Sequence, residues 1–298
     1  MSKMTVAAPD EAVAVKVKQR SMFGQIVDRL VRNKSAMIGF CLLVIIVVLC
    51  LAASWIAPQG FNSQHLLEKF QPPSLKHLCG TDNLGRDIFA RILYGGRISL
   101  WIGFASTIFS AVVGIVIGLF AGFYGGTTDN IVMRILDIIM SIPSILLAIT
   151  IAAALGTGVN SAILAIGIAS IPIFARLTRA PIIQVKNEEY IEAARAISAS
   201  KARIMFRHLL PNILSPLIVQ ITINVALSIM LAAGLSFLGM GVQPPNPEWG
   251  AIITSGKVYI IDHSYMVTMP GIAIALTVIA LNLFGDGLRD CLDPRLKI

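Results

Sequence analysis

The residues able to do chemistry are few, and their spacing argues against most of it. The four histidines, His65, His77, His208 and His263, are scattered and no H-E-x-x-H string occurs, so no metal site is expected. The nearest approach to a phosphate-binding loop is Gly250-Ala-Ile-Ile-Thr-Ser-Gly256-Lys257-Val258. Its glycines stand one residue too far apart, and Val258 replaces the hydroxyl that would hold magnesium. Cys41 and Cys50 fall in an apolar run, Cys79 in a loop and Cys291 near the C-terminus, which is no disulfide framework. Arg134 and Asp137 are the only charges inside an apolar segment long enough to be a span, and at i and i+3 they are expected to pair with each other. Proton- or sodium-coupled carriers use ionisable groups in mid-span or inverted repeats, and neither is visible. The expectation is a non-catalytic protein with no cofactor.

The elements that carry these residues are apolar. Of 298 residues, 56% are hydrophobic and 13% charged, where soluble domains carry roughly a quarter charged. No charge occurs between Lys34 and Glu68, Arg97 and Asp129, Asp137 and Arg176, Arg207 and Glu248, or Asp262 and Asp286. About 20 apolar residues cross a bilayer as a helix. Six transmembrane helices are therefore predicted, at approximately 36–57, 98–123, 131–155, 160–175, 213–238 and 266–285, in an all-α polytopic membrane protein. The turn-rich string Gly156-Thr157-Gly158-Val159-Asn160 separates the third from the fourth. The first run is 22 residues long behind a long basic segment, which reads as a retained span and not a cleaved signal.

Orientation follows from lysine and arginine. With the N-terminus in the cytoplasm, 18 of the 24 basic residues fall on the cytoplasmic side and 6 outside, which places both termini inside. The implied layout is a cytoplasmic segment 1–35, a first span 36–57, an extracytoplasmic loop 58–97, a core 98–285 containing a cytoplasmic loop 176–212, and a tail 286–298. Basic residues lie between apolar runs without interleaved aromatics, so nucleic acid is not an expected partner. Phe23, Ile26, Val27, Leu30 and Val31 recur at helical spacing beside basic residues, predicting an amphipathic helix on the inner membrane surface after a solvated stretch 1–18. Gly114, Gly118 and Gly122 form a stripe on one helix face that suits close helix packing, with pore lining as the less common alternative.

The cytoplasmic loop holds the sharpest candidate. Asn187 is an expected N-cap and Glu188 and Glu189 suit a helix N-terminus. Tyr190, Ala193, Ala194 and Ile197 share a face, Glu192 can pair with Arg195, and Ser200 can cap a second short helix ended by Pro211. Such a helix–turn–helix is either a docking element or an amphipathic linker on lipid headgroups, and periodicity alone weighs the two evenly.

Glu192-Ala193-Ala194, the small residue Ser198, and Leu210-Pro211 resemble the EAA loop of binding-protein-dependent ABC importer permeases. Ser198 stands where that family usually has glycine, and His208 where many members have isoleucine. A serine Cβ disfavours the positive φ that glycine allows. Gly80-Thr-Asp-Asn-Leu-Gly-Arg-Asp87, Leu235-Ser-Phe-Leu-Gly-Met-Gly-Val-Gln-Pro-Pro-Asn-Pro-Glu-Trp-Gly250, Asn282-Leu-Phe-Gly-Asp-Gly-Leu-Arg-Asp-Cys-Leu-Asp-Pro-Arg295 and Arg32-Asn33-Lys34 resemble the dipeptide, oligopeptide and nickel branch, in its second, C-type permease. Most of these strings also have plain structural readings: Asp82 and Asp87 as helix caps, Pro244 to Pro247 as a stiff connector, Asp286 to Asp293 as a fraying end.

The resemblance implies the type I ABC importer permease fold in the bacterial cytoplasmic membrane. It implies a paralogous permease, two ABC ATPase subunits that hydrolyse the ATP, and an extracytoplasmic substrate-binding protein. Glu192, Ala193, Ala194, Arg195, Ser198, Leu210 and Pro211 are the expected ATPase-coupling residues. Short peptides are the expected substrate and nickel or another chelated metal the alternative; no substrate-binding residue is assigned, because the path would run between two permeases.

Overall fold

The structure is a computed structural model and describes residues 22–292. The expected solvated stretch 1–18 and the end of the last string, Asp293 to Arg295, lie outside the described residues, as do the side chains of Phe23, Ile26 and Val27. Among the described residues the architecture is all-helical, with a single isolated bridge between Thr81 and Asp87.

Helix α1 (Met22–Arg32) stops at Asn33, whose Oδ1 accepts the Ala36 N–H at 3.1 Å and so starts α2 (Lys34–Leu51). At 18 residues α2 is about 27 Å long, close to the roughly 30 Å bilayer core. It buries only Ala36, Gly39 and Cys50. A Cβ at Gly39 would sit 2.7 Å from backbone atoms of Ala280 and Phe284, so α2 rests on α13 (Tyr265–Leu292) through its small residues. The first span was expected to run to residue 57; the chain instead breaks after Leu51 into a short α3 (Ala53–Ile56).

Helix α4 (Ile88–Tyr124) begins ten residues before the expected second span. Asp87 Oδ1 accepts the Ala90 N–H at 2.8 Å, and the helix keeps Arg91 and Arg97 by finding them carbonyl acceptors on the preceding segment. Its glycine stripe faces α7 (Val159–Val185), where a Cβ at Gly114 would lie 2.6 Å from Phe174 and one at Gly118 would overlap the Ala175 carbonyl. The stripe is a packing surface, as expected.

The fourth helix was predicted to end at 175 and runs ten residues further, through buried Pro172 and through Pro181. Its basic residues do not end it because acidic residues of α5 (Gly126–Met140) meet them: Arg176 pairs with Asp137, and Arg179 holds Asp129 in a bidentate pair at 2.5 Å. Asp137 therefore pairs across helices and not with Arg134.

The third span is not a straight rod. α5 and α6 (Ser144–Leu155) meet at 88° across Ser141-Ile142-Pro143. Proline has no N–H to continue the ladder and disfavours helix at the residue before it. Among the described residues five continuous helices are long and apolar enough to cross a membrane, and the bent pair makes six if it is one span.

After a non-helical and short-helical passage, α11 (Leu214–Phe237) returns along α4. Thr107, Asn224 and Ser228, all buried, hydrogen-bond one another at 3.1 to 3.4 Å and join the two helices. α12 (Trp249–Gly256), eight residues long, was not foreseen. α13 stays helical through Asp286 to Leu292, where fraying was expected, because Gly287 packs on Ala36 and Cys291 is buried.

These contacts, parallel between α4 and α7 and antiparallel between α2 and α13 and between α4 and α11, sort the connections into two ends. The terminal end holds the start of α2, the α4–α5 corner, residues 186–213 and the end of α13. The opposite end holds residues 52–87 and 238–264.

Candidate functional site

At the terminal end α7 gives way to α8 (Glu189–Ala196). Its N-cap is Glu188, without a side-chain cap bond, one residue beyond the expected Asn187. Glu189 and Glu192 lie in the first turn and Arg195 in the last, each suited to the helix dipole. Arg195 does not pair with Glu192; its Nη2 donates to the Lys186 carbonyl at 3.2 Å.

One side of α8 is glued down. Ile191 is fully buried and Ala194 is 6% exposed, in a cluster with Leu119 of α4, Ile182 of α7, Ile204, Met205, Leu209, Ile213, and Leu217 of α11. Ala194 was expected on a face with Tyr190, Ala193 and Ile197. It belongs instead with Ile191, a residue the sequence reading passed over. The other side faces outward with Glu192 and Ala193, and there Ile197 is 80% exposed and Tyr190 43%.

The turn after α8 explains the odd serine. Ser198 adopts φ +56°, its N–H donates to the Arg195 carbonyl at 2.9 Å, and the Ala199 N–H donates to the Ala194 carbonyl at 3.1 Å. That is a Schellman closure with serine at the position where glycine is favoured. The strained φ costs roughly 1–2 kcal/mol in a residue with a Cβ, which the buried anchors offset.

Beyond the turn, Ser200 Oγ accepts the Arg203 N–H at 3.3 Å and starts α9 (Lys201–Arg203). The chain then widens into a π-helical stretch, Ile204–Leu209, that buries Ile204, Met205 and Leu209 and leaves Phe206 half exposed. Short π segments mark functional places in helices more often than elsewhere. α10 (Leu210–Asn212) follows, with Leu210 half-buried and Pro211 exposed. Proline at 211 offers no N–H to the Arg207 carbonyl.

Polar clamps tie this hairpin to the spans. Lys186 Nζ donates to the Gly122 carbonyl at 2.9 Å, and Lys201 Nζ lies 5.3 Å from the Tyr124 ring centroid. Asn212 Nδ2 donates to the Tyr190 hydroxyl at 2.9 Å and to the His208 carbonyl at 2.8 Å. The hairpin is thus fixed to the ends of α4, α7 and α11 while presenting Glu192, Ala193, Ile197 and Phe206 outward. A close-packed cluster transmits displacement instead of absorbing it. Through this cluster α8 is packed against three spans.

The candidate residues divide accordingly. Glu192, Ala193, Arg195, Ser198 and Pro211 are on the surface, Leu210 is half-buried, and Ala194 is inside. Tyr190 and Ile197 shared the expected face, but Phe206 was missed. Its signal was a large apolar residue set among Arg203, Arg207 and His208.

The opposite end is built differently. Asp82 Oδ2 pairs with Arg86 Nε at 2.6 Å, both residues buried, while Asp82 Oδ1 accepts the Leu84 and Arg86 N–H groups. Asp82 thus closes a turn and caps no helix, whereas Asp87 does cap α4. Gly80 and Gly85, at φ +78° and +71°, permit the turn. Asp87 Oδ2 also meets His77 Nδ1 at 2.8 Å. Burial pushes the Cys79 thiol up to about 11, with Asp87 adding to the effect, so it stays a thiol at neutral pH. Fully buried Glu248 accepts the Ser99 hydroxyl at 3.1 Å and the Ala251 N–H at 2.9 Å, and so caps α12. The long strings singled out in the sequence are latches here.

With this geometry in place, the chain can be set beside known proteins. Residues 114–298 match the family described as the binding-protein-dependent transport system inner membrane component. Residues 21–73 match the N-terminal transmembrane domain of oligopeptide transport permease C. The chain is 44% identical over 271 residues, 89% of each chain, to the di/tripeptide transport system permease protein DppC of Pseudomonas aeruginosa. It is 41% identical over 298 residues, 100% of this chain and 96% of the other, to the glutathione transport system permease protein GsiD of Escherichia coli. Its fold is similar to that in the inward-facing MetNI methionine ABC transporter, with a TM-score of 0.57 at 22% identity, over 68% of this chain and 96% of that one.

Proposed function

From the premise that the chain belongs to the family of binding-protein-dependent transport system inner membrane components, we propose that it is the C-type permease subunit of an ATP-driven importer of short peptides. The carrying observation is the match of two separate profiles, one to the general core and one to the N-terminal segment of an oligopeptide permease. Relatives named for di/tripeptide and glutathione transport support the peptide substrate.

In this reading the terminal end is cytoplasmic, in line with the 18-to-6 division of basic residues, and both termini lie there. The exposed side of α8 and Phe206 rest on one of two ATPase subunits, which carry out hydrolysis. Closure of the ATPases pushes α8. The Ile191–Ala194 side passes that displacement to α4, α7 and α11. A paralogous permease completes the path on the other side, and an extracytoplasmic binding protein delivers the peptide to the opposite end. Glu192, Ala193, Arg195, Ser198, Leu210 and Pro211 form or support the coupling surface, and Ala194 anchors it from beneath.

The test is uptake in a strain lacking this gene, using a radiolabelled dipeptide and radioactive nickel side by side. Loss of peptide uptake with nickel accumulation unchanged is expected. Unchanged peptide uptake with lost nickel accumulation would reassign the substrate.

A further inference from the structure

Between α2, α4, α11 and α13 lies a groove of about 740 Å³ that the coupling account does not use. Its walls are apolar, with Leu43 and Val47 from α2, Leu100 and Phe104 from α4, Val225 from α11 and Phe284 from α13. Trp101 and Phe104 are 58% and 53% exposed along it. An apolar groove on the flank of a spanning helix bundle is an ordinary surface for lipid tails; the cation at its end is what makes this one specific.

That cation is Arg97. Its Nε donates to the Cys50 carbonyl at 2.7 Å and its Nη2 to the Leu51 carbonyl at 2.7 Å and to Ser54 Oγ at 3.1 Å. The guanidinium also lies 5.0 Å from the Tyr94 ring centroid. These bonds hold it at the C-terminal end of α2, where the apolar helix stops. Among the described residues no carboxylate pairs with it. The helix end it caps carries about half a negative charge, so a net positive charge remains. From Leu43 to Leu51 the groove wall rises about 12 Å, against about 15 Å for half a bilayer core. Charge and length together describe one leaflet's worth of lipid.

We propose that this groove binds one glycerophospholipid, its phosphate on Arg97 and an acyl chain along Leu43, Val47, Leu100 and Phe104. Guanidinium suits phosphate oxygens, and the tail covers rings that otherwise lie open beside α4. The site is separate from the coupling hairpin and does not depend on the identity of the transported substrate.

The test uses the complex as purified from native membranes and a phosphatidylglycerol carrying a diazirine in its acyl chain. After irradiation, adducts are expected at Trp101 and Phe104. A diacylglycerol with the same diazirine lacks the phosphate and is expected to label about tenfold less. Arg97→Gln should lower phospholipid labelling by a similar factor, and Arg97→Lys, which keeps the charge, should restore most of it. Val47→Trp fills the groove without touching Arg97 and should also lower labelling, which covers the case in which Arg97→Gln disturbs the end of α2. Equal labelling by the two probes, or unchanged labelling in both Arg97→Gln and Val47→Trp, would overturn the proposal. So would disulfide trapping of a cysteine at 104 to the paralogous permease, since the groove would then be a subunit interface.

Discussion

The two ends of the molecule use the same residue types to opposite purposes. At the opposite end three carboxylates turn to their own chain: Asp82 closes on Arg86, Asp87 meets His77, and Glu248 caps α12 with no part exposed. At the terminal end the clamps Lys186, Arg195 and Lys201 go to carbonyls and a ring, leaving Glu188, Glu189 and Glu192 unburied, beside exposed Ile197 and Phe206. The opposite end is not closed to partners, since Leu67, Leu75 and Ile261 are almost fully exposed there; what it has and the hairpin lacks is buried carboxylates that fix its turns. The hairpin leaves its acids and Ile197 outward over a packed base, which is the arrangement the proposed ATPase contact needs.

The sharpest way to break that contrast is at the buried latch. Asp82→Ala strands Arg86 without its carboxylate, and a broken buried pair costs about 3–5 kcal/mol. Thermal unfolding of the purified complex should show the drop; a variant as stable as wild type would mean the latch is only decoration. Next in size is Ala194→Leu, which overfills the cluster beneath α8 at about 1–3 kcal/mol. It should lower stability before any partner is added, whereas a change seen only in ATPase binding would return Ala194 to the outer face. The smallest change is a gain. Ser198→Gly removes a Cβ from φ +56° and should stabilise the hairpin by about 1 kcal/mol, with transport retained. Hydrogen exchange at Ala199, whose N–H closes the turn, would register it; faster exchange would contradict the strain argument.

Much of this was legible in the sequence, and the failures share a cause. Charge-free intervals located the apolar helices because a bilayer penalises charge wherever it falls. The helix ends were less legible, because Arg91 and Arg97 looked like loop residues until their carbonyl acceptors some 30 and 47 positions earlier were seen. Arg176 and Arg179 were misread in the same way, since their acids are 39 and 50 residues distant. The bend at Pro143 had a local signal, a proline inside an apolar run, that a count of charges does not register. α12 was too short to stand out beside the spans. In α8, eight residues with three alanines have little periodicity with which to choose a face, so Ala194 was placed on the wrong side and Ile191 overlooked. The Ser198 turn was located by resemblance, and the structure supplies its hydrogen bonds.

In the proposed function the outward side of α8 meets an ATPase while the opposite end does not. Ile197 and Leu75 are both exposed apolar residues, at 80% and 99%, one at each end. Replacing each in turn with p-benzoylphenylalanine and irradiating intact cells that express the whole complex compares the two directly. An ATPase adduct is expected from position 197 and none from position 75; an ATPase adduct from 75, or none from 197 in an assembled and transporting complex, would show that α8 is not the ATPase contact.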